Sequence, residues 1–440
     1  MKKINHWIFR QIFYGTLLLR REWFFPQYHE LLESQYFPPE KLKELQLMRL
    51  NALLRHASEN IRYYKGRIPS KLEDLDGLSS LPLLEKEDVR KHQDDLTCKI
   101  GSNQRLKTSG GSTGAPVTLV KDSAGMAYEM AAMWRGYSWA GVKIGHRQAR
   151  FWGVPKTRKE KLRASLIDFV CNRKRITAFN FDVESMRSAT KSLMHFKPDY
   201  FYGYTSIIKE FALAQNGKSK LSPKAIFTTS EVLTSGDRQL LEDTFSCKVF
   251  DEYGCGEVGT IAHECEYGVR HINVENVIVE VVDDNGIPVP SGNSGELVVT
   301  DLTNWSMPLI RYRLKDYGSI AVEKCKCGRS LQRLGAIHGR AYDVLKNTMG
   351  KRFHGEFFLY IVEDAKKSGL NINGIQFAQR IDLGIDVSVV CSVNDFYWIK
   401  EFIFRRLISD FDNCIDINIE RKNVIPREPS GKIRVVKGIE

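Results

Sequence analysis

The sequence contains no apolar run long enough to cross a lipid bilayer. Its N-terminal apolar run covers residues 12–19, whereas a membrane-spanning helix needs roughly 20 apolar residues. No small-residue cleavage site of the kind that ends a signal peptide follows this run. We therefore expect neither a transmembrane helix nor a secretory leader, and we expect a cytoplasmic protein.

Low-complexity tracts and repeats at a fixed period are also missing, which argues against a disordered chain and against a repeat architecture. The 440 residues are too many for one ordinary core, so two or three domains are expected. Helical and strand-like patterns alternate between residues 122 and 254, beginning with a helix that Asp122 is expected to cap. This alternation is typical of an α/β fold, in which helices cover both faces of a mainly parallel sheet.

The predicted architecture is a large N-terminal α/β domain over residues 1–339 and a small, mobile α+β domain over residues 340–440. Two strand-like segments joined by an Asp-Asp-Asn-Gly turn lie near residues 274–302 and predict a hairpin. We place this hairpin in a small β subdomain near residues 265–335, at the end of the large domain.

The net charge of +12 would suit a polyanion, but the Lys and Arg residues are spread along the chain and no motif that reads nucleic acid is present. No nucleic-acid partner is therefore expected. In the N-terminal segment, five basic residues precede the first acid, Glu22, among aromatic and aliphatic residues. Two interpretations stay open: a helix packed on the large domain, or peripheral contact with the inner membrane surface.

Nine cysteines without an export signal indicate reduced thiols rather than a disulfide framework. Cys265 with His271 and Cys325 with Cys327 form two close pairs, which together predict a tetrahedral zinc site. With four protein ligands the ion would be structural and closed to substrate. His263 is a competing ligand, and small buried cysteines are the alternative.

A glycine- and hydroxyl-rich segment, TSGGSTGAP at residues 108–116, has the composition of a loop whose amide groups converge on an anion. No lysine follows Gly114, so the segment does not match the phosphate loop of kinases and GTPases. A phosphate-binding loop and a flexible linker are both compatible with this composition.

Two acidic residues in the second half of the large domain are further candidates. Glu257 follows a predicted strand and could bind Mg²⁺, or could simply be solvated. Asp316 could accept both hydroxyls of a ribose, or could pair with Arg311 or Arg313.

Two more segments complete the set: a Gly-Arg pair at residues 339–340, and Lys432 near the C-terminal end, which alone would be a surface charge. The order and spacing of the five segments resemble the adenylate-forming superfamily of acyl-CoA synthetases and adenylation domains. The resemblance is closer to the phenylacetate-CoA ligase branch and its capsular-polysaccharide adenylyltransferase-like relatives, and it extends over residues 35–438. It rests on the stretches QYFPPEKLKELQLMRLNALLRHASENIRYY, SLPLLEKEDVR, DYFYGYTSIIKEFA and KAIFTTSEVLTSGDRQLLEDTFSCKVFDEYGCGEVG.

The resemblance implies ATP, Mg²⁺ and coenzyme A as ligands and a role for each matching position. Glu257 would bind Mg²⁺, Asp343 would be the hinge, and Lys432 would be the catalytic lysine of the mobile domain. The implied nucleotide-binding residues are Thr108, Ser109, Gly110, Gly111, Ser112, Thr113 and Gly114 at the phosphates, Ser230, Glu231, Asp251, Glu252 and Tyr253 at the adenine, Asp316 at the ribose, and Arg340 at the ribose or the phosphate.

Two positions depart from the superfamily pattern. Gly111 stands where Ser or Thr is common, and Val117 stands where many members carry Lys. These departures predict an altered affinity for the phosphates. The acid pocket is expected around residues 134–139, 151–154 and 202–204, whose aromatic residues suit a ring or a flat chain.

Three functions are compatible with the sequence. The first is formation of an acyl-adenylate from a carboxylic acid, followed by transfer of the acyl group to coenzyme A. The second delivers the acyl group to an amine, such as an amino acid or an amino sugar in capsular or O-antigen polysaccharide biosynthesis. The third, of another class, is a non-catalytic, zinc-stabilised binding module.

Overall fold

The computed structural model of the protein describes residues 2–20, 22–98, 104–108, 117–152, 158–177, 183–217, 219–340, 345–349, 352–353, 355–426 and 434–438. The chain forms two compact units. The large unit comprises Met1–Asn293, Leu297–Leu314 and Ser319–Gly335, and the small unit comprises Ser294–Glu296, Lys315–Gly318 and Ala336–Glu440.

The first part of the chain is mainly helical, and strands dominate after residue 246. The helices of the large unit are α1 (Lys2–Leu19), α2 (Phe25–Ser34), α3 (Pro39–Asn60), α4 (Lys86–Lys91), α5 (Gln93–Leu96), α6 (Ser123–Trp139), α7 (Arg158–Val170), α8 (Val183–Phe196), α9 (Thr205–Leu213) and α10 (Ser235–Phe245). Short 3₁₀ turns lie at Arg62–Tyr64 and Asp76–Ser80.

Within the described residues, thirteen strands precede residue 341. They are β1 (Arg105–Thr108), β2 (Thr118–Lys121), β3 (Gln148–Trp152), β4 (Arg173–Thr177), β5 (Tyr200–Tyr204), β6 (Ala225–Thr229), β7 (Lys248–Cys255), β8 (Gly259–Glu264), β9 (Arg270–Ile272), β10 (Val277–Val282), β11 (Ser294–Asp301), β12 (Tyr312–Ala321) and β13 (Arg333–Arg340). β1 and β2 pair antiparallel and bracket the glycine-rich segment.

The remaining strands before residue 341 form one sheet of eleven, in the order β10-β11-β12-β13-β9-β8-β7-β6-β5-β3-β4. The neighbours from β4 to β7 pair in parallel, and β7, β8, β9 and β13 follow with antiparallel pairing. This mixed sheet confirms the expected α/β class. The strands of the predicted β subdomain continue the same sheet.

Helix boundaries follow local capping. The Asp122 side chain accepts a hydrogen bond from the Gly125 amide at 2.8 Å and begins α6 where the sequence predicts a capped helix. Thr234 caps α10 in the same way, and Ser246 ends that helix in a left-handed conformation with φ of 54°. On α3, leucines at helical spacing are buried.

The small unit has its own sheet and core. Its elements are β14 (Leu345–Lys346), β15 (Arg352–Phe353), α11 (Gly355–Lys367), β16 (Gly374–Gln379), β17 (Ile385–Val390), α12 (Val393–Arg406), β18 (Ile417–Arg421) and β19 (Val436–Lys437). The strand order is β18-β17-β16-β19, and α12 ends in a π-helical turn, Leu407–Phe411. Buried Phe358, Phe377, Ile399 and Ile403 fill the core.

A fully buried ion pair ties helices of the large unit to its sheet. Arg135 of α6 donates two hydrogen bonds to the Glu275 carboxylate, at 2.6 and 3.1 Å, and both side chains are inaccessible to solvent. The same guanidinium donates to the Leu31 carbonyl and to Asn273, and Ser34 donates to Glu275. These partners offset much of the cost of burying two charges.

We expect Arg135→Met to lower the free energy of unfolding by about 3–5 kcal/mol, because the Glu275 carboxylate would stay buried without its counter-charge. Thermal unfolding would measure the loss. The matched control is Arg62→Met, which removes the exposed Arg62–Asp95 pair and should cost less than ~1 kcal/mol. If Arg135→Met and Arg62→Met had the same melting temperature, the predicted loss of stability on removal of Arg135 would be contradicted.

Candidate functional site

Parallel pairing places several predicted site residues at one edge of the sheet. The register aligns Tyr204 of β5 with Thr229 of β6, and Thr229 with Glu252 of β7, so the parallel pairing of the three strands stops at one level, while β7 continues to Cys255. Ser230 and Tyr253 come directly after this row. Ligands of α/β proteins bind outside the carboxyl ends of such strands.

The hairpin of β1 and β2 is fastened to the same edge by a buried lysine. Lys121 is 1% exposed, and its ammonium donates to the Val258 carbonyl at 2.6 Å, next to Glu257. Burial alone would lower the pKa of Lys121, but the carboxylates of Asp301 and Glu129 outweigh it and raise that pKa above its usual value. The stems of the predicted phosphate loop and the predicted Mg²⁺ ligand are thus brought together.

Glu129 of α6 joins both strands of this hairpin. Its carboxylate accepts hydrogen bonds from Lys107 of β1 and lies 3.4 Å from the Lys121 ammonium. Burial would raise the pKa of Glu129, yet the two lysines lower it below its usual value. A side chain on Gly259 would clash with Glu129, so glycine is required there. The sequence offered a hint of this network, since a lysine stands on each side of the glycine-rich segment.

Glu257 is nearly buried, so the alternative of a merely solvated acid does not describe it. Its carboxylate lies 3.4 Å from the Lys86 ammonium at the start of α4, and the residue is 9% exposed. A carboxylate oxygen is the type of ligand that Mg²⁺ takes in nucleotide sites. The residue therefore remains the candidate cation ligand at this edge.

Two of the predicted adenine-pocket residues have partners within the fold. The Asp251 carboxylate accepts from Arg270 at 2.8 Å and from Thr228 at 3.1 Å. Glu231 accepts from the amide and the hydroxyl of Ser206, at 2.7 and 3.0 Å, in the first turn of α9. Ser230 has a φ of 67°, a conformation that is rare for residues other than glycine and is often found at binding sites.

The two arginines that the sequence offered as partners of Asp316, Arg311 and Arg313, each form an ion pair with a glutamate. Arg311 is buried and pairs with Glu280 at 3.0 Å, and Arg313 pairs with Glu85 at 3.0 Å. Asp316 itself lies on β12, in the part of that strand that belongs to the small unit. Its assignment to the ribose stays a prediction.

Several predicted residues fall outside the described parts of the chain, and their roles stay predictions. These are Ser109, Gly110, Gly111, Ser112, Thr113, Gly114, Asp343 and Lys432. Thr108 ends β1 and Arg340 ends β13, and only their backbone is described.

Glu252 is a buried carboxyl with an unusual environment. It is 9% exposed, accepts from the Thr260 hydroxyl at 3.1 Å, and its second oxygen has no hydrogen-bond partner among the described residues. Burial raises the pKa of Glu252 to about 7. The strand alternation of β7 turns it away from Asp251.

Arg150 of β3 lies near Glu252 and was not predicted from the sequence. Its guanidinium stacks over Trp152 at 4.6 Å and over Tyr202 at 5.0 Å, and its Nε has no hydrogen-bond partner in the described parts of the chain. Burial, then the charge of Arg173, lowers the pKa of Arg150. Arg150, Trp152 and Tyr202 coincide with part of the expected acid pocket, which stays a prediction.

The four residues of the predicted zinc site converge. One ligand atom from each of Cys265, His271, Cys325 and Cys327 lies within 4.8 Å of the others. The Cys265 and Cys325 sulfurs are 3.7 Å apart, and the Cys327 sulfur is 3.2 Å from His271 Nε2. Tetrahedral zinc with Zn–S bonds of about 2.3 Å spaces its sulfurs about 3.8 Å apart, so this set can hold a metal.

The surroundings of the cluster fix its ligands. His271 Nδ1 lies 3.3 Å from the Leu331 carbonyl, which directs Nε2 towards the sulfurs. Burial lowers the pKa of His271 to about 4, so the neutral, metal-binding form is favoured. Gly268, between Cys265 and His271, and Gly328, directly after Cys327, have φ of 71° and 78° and permit the tight turns. His263, the competing ligand, packs against Tyr137 instead.

Comparison with known protein families finds no match. Among characterised relatives, the protein CapK of Staphylococcus aureus is 28% identical over 286 residues, which cover 62% of each chain. The phenylacetate-coenzyme A ligase of Thermus thermophilus is 28% identical over 339 residues, covering 71% of this chain and 73% of the ligase. The chain thus spans somewhat less than two thirds of CapK.

Solved structures share the fold. The crystal structure of 2-hydroxyisobutyryl-CoA ligase with 2-HIB-AMP, in the post-adenylation state, has a TM-score of 0.73 at 19% identity and covers 92% of this chain and 91% of the ligase. The crystal structure of ATP-bound MatB from Rhodopseudomonas palustris has a TM-score of 0.53 at 16% identity. The match covers 74% of this chain and 65% of MatB. The expected relationship to the phenylacetate-CoA ligase branch of the adenylate-forming ligases is confirmed.

We expect Glu252→Gln to stabilise the protein more at pH 8 than at pH 5. Because the pKa of Glu252 rises from its ordinary 4.5 to about 7 on folding, the folded chain keeps a proton that the unfolded chain loses in this interval. The free energy of unfolding therefore falls as the pH rises from 4.5 to 7, by up to ~3 kcal/mol. Glutamine retains the shape without the charge.

Chemical unfolding of both proteins at pH 5 and pH 8 measures this difference. Glu44→Gln, at an exposed position of α3, is the control and should shift stability equally at both pH values. If Glu252→Gln behaves like this control, ionisation of the buried Glu252 carboxyl does not lower the free energy of unfolding as predicted.

Proposed function

Since the chain is a homologue of phenylacetate-coenzyme A ligases with the fold of the adenylate-forming enzymes, we propose that it is an ATP-dependent, AMP-forming carboxylate ligase. It converts a carboxylic acid and ATP into an acyl-adenylate and pyrophosphate, then passes the acyl group to coenzyme A with release of AMP. The observation that best supports this is the bond from Lys121 to Val258, which fastens the glycine-rich hairpin beside Glu257.

The proposed reaction needs cationic groups because negative charge accumulates around the α-phosphorus. The carboxylate of the substrate must attack an α-phosphorus that is already surrounded by negative oxygens, so positive charge is needed as the transition state forms. Mg²⁺ held by Glu257 would neutralise phosphate charge when bound. The amide-rich loop at residues 109–114 would orient the phosphates, and Lys432 would approach the reacting centre from the C-terminal region.

The remaining assignments concern the nucleotide and the change between half-reactions. Ser230 and Tyr253 would line the adenine at the edge where the pairing of β6 with β7 ends. Asp316 would contact the ribose, and Arg340 would contact the ribose or the phosphate. Rotation at Asp343 would exchange Lys432 for the acyl acceptor between the two steps. These assignments rest on the resemblance together with the alignment of β5, β6 and β7.

The cluster at Cys265, His271, Cys325 and Cys327 is proposed to hold a structural Zn²⁺. Its four protein ligands would leave no open position for a substrate. It would fix the segment after β8 to the turn before β13, both of which lie in the large unit.

The second oxygen of Glu252 has no hydrogen-bond partner in the described chain and the residue lies near Arg150, which supports an acid that carries a hydroxyl group. A hydroxyl can form a hydrogen bond with the carboxyl in either protonation state and can accept one from the guanidinium. Matched acids with and without a hydroxyl, such as hydroxyphenylacetate and phenylacetate, therefore belong in the substrate panel.

We expect pyrophosphate exchange into ATP with at least one acid of this panel, and Lys432→Ala should reduce it by more than ~100-fold because transition-state charge would go unopposed. Lys400→Ala, which removes an exposed lysine on α12, is the control and should retain exchange. Exchange that survives loss of Lys432 would remove that residue from catalysis, and no exchange with any acid would contradict the ligase assignment.

The acceptor is identified with the productive acid. Coenzyme A and candidate amines are added in turn, and the product is determined by mass. A thioester supports the proposal. An amide formed only with an amine would replace it by the alternative of acyl transfer to an amino acid or amino sugar, for which the structure and the relatives give no additional support.

For the metal, we expect one zinc per chain in protein purified without added zinc, and its loss in Cys325→Ser, because three ligands bind the ion less tightly than four. Elemental analysis measures the content. Cys414→Ser, which changes an exposed cysteine of the small unit, should retain zinc. Equal zinc in both variants, or none in the wild type, would contradict the assignment.

A further inference from the structure

Helix α1 carries apolar side chains on two different sides. On one side Phe13 and Leu17 are buried, and the Phe13 ring lies 6.2 Å from that of Trp134 in α6. This side confirms a helix packed on the large unit. The other side, with residues at helical spacing, is exposed to solvent. Its large apolar side chains are Trp7, Ile8, Leu18 and Leu19, with Leu19 88% exposed.

Helix α7 has its apolar side chains outward. None of its thirteen residues is buried among the helix positions described. Leu162, Leu166 and Phe169 are 76%, 65% and 57% exposed, and their spacing of four and three residues places them on one stripe. Arg158 and Lys159 flank this stripe at the start of the helix. A helix that packed in the usual way would bury such a stripe.

The two helices adjoin. The rings of Phe9 in α1 and Phe169 in α7 meet edge to face at 5.5 Å. Arg105 of β1 lies near Arg20, which follows α1, and near Arg163 of α7, and burial together with these two charges lowers the pKa of Arg105. The Glu22 carboxylate pairs with both Arg20 and Arg105, so three basic residues and one acid accompany the exposed apolar residues of both helices.

We propose that α1 and α7 form a docking surface for an anionic lipid bilayer, with the exposed apolar side chains entering the interface and the basic residues contacting the headgroups. A basic amphipathic helix with exposed Trp, Leu and Phe is the type that lies in the plane of a membrane. None of the described helices is long and apolar enough to cross a bilayer. The contact inferred is therefore peripheral.

Charge favours lipid over a second copy of the chain. The two helices together carry seven basic and two acidic residues. A second copy would bring the same excess of positive charge to the interface, whereas anionic headgroups would neutralise it. This docking does not depend on the proposed catalytic activity.

The full-length protein is tested by co-sedimentation with vesicles of phosphatidylcholine alone and of phosphatidylcholine mixed with phosphatidylglycerol. Binding to the anionic vesicles should be at least about tenfold tighter and should weaken at high salt. Equal binding to both compositions, or none to either, would overturn the proposal.

Variants locate the surface. Leu162→Ser with Leu166→Ser, and separately Leu18→Ser with Leu19→Ser, should each weaken vesicle binding by about tenfold, since two apolar side chains no longer enter the interface. Ile287→Ser with Val322→Ser removes equally exposed apolar side chains elsewhere on the large unit and should leave binding unchanged. Binding that either helix variant leaves intact would overturn the two-helix surface.

Sedimentation velocity without vesicles tests whether a second copy of the chain occupies this surface instead of lipid. Thermal unfolding confirms that the variants fold. All substituted positions are exposed, so their melting temperatures should match the wild type. A monomeric wild type supports the membrane proposal, whereas a dimer that both helix variants dissociate would assign the surface to self-association.

Discussion

The parallel pairing of β5, β6 and β7 is the constraint on which the candidate site depends. Because Tyr204, Thr229 and Glu252 share one level, the residues that follow them in the three segments start side by side. A register slip of one residue would turn each side chain to the opposite face of the sheet. The backbone hydrogen bonds between the strands therefore set the positions of Ser230 and Tyr253, independently of their own side chains.

Buried charge then fastens the glycine-rich hairpin to this edge. Lys121 contacts a carbonyl and lies near two carboxylates in a place with almost no solvent, where electrostatic interactions are much stronger than in water. A surface pair of the same residues would contribute little. The network of Lys107, Lys121 and Glu129 holds the stems of the loop, and the loop between them can differ in sequence without loss of this attachment.

The sequence predicted those features that depend on residues close together in the chain. It predicted the α/β class, the start of α6 at Asp122 and the grouping of Cys265, His271, Cys325 and Cys327, because caps, alternation and close ligand pairs are local features. It did not predict α7, because charged residues make up nearly half of that helix and leave only a narrow apolar stripe as a signal. Arg150 was also missed, because its importance depends on Glu252, about a hundred residues away in the chain and near it only in the folded sheet.

Two buried Arg and Glu combinations in the large unit differ in how completely the glutamate is bonded. Both oxygens of Glu275 accept hydrogen bonds from Arg135, and Ser34 also donates to this carboxylate. An unbonded Nε does not distinguish the two arginines, because Arg135 Nε and Arg150 Nε are both buried without a partner in the described chain. Glu252 does differ from Glu275, since its second oxygen has no donor among the described residues. An unsatisfied buried acceptor costs stability, and a polar group on a ligand at this edge of the sheet would remove that cost.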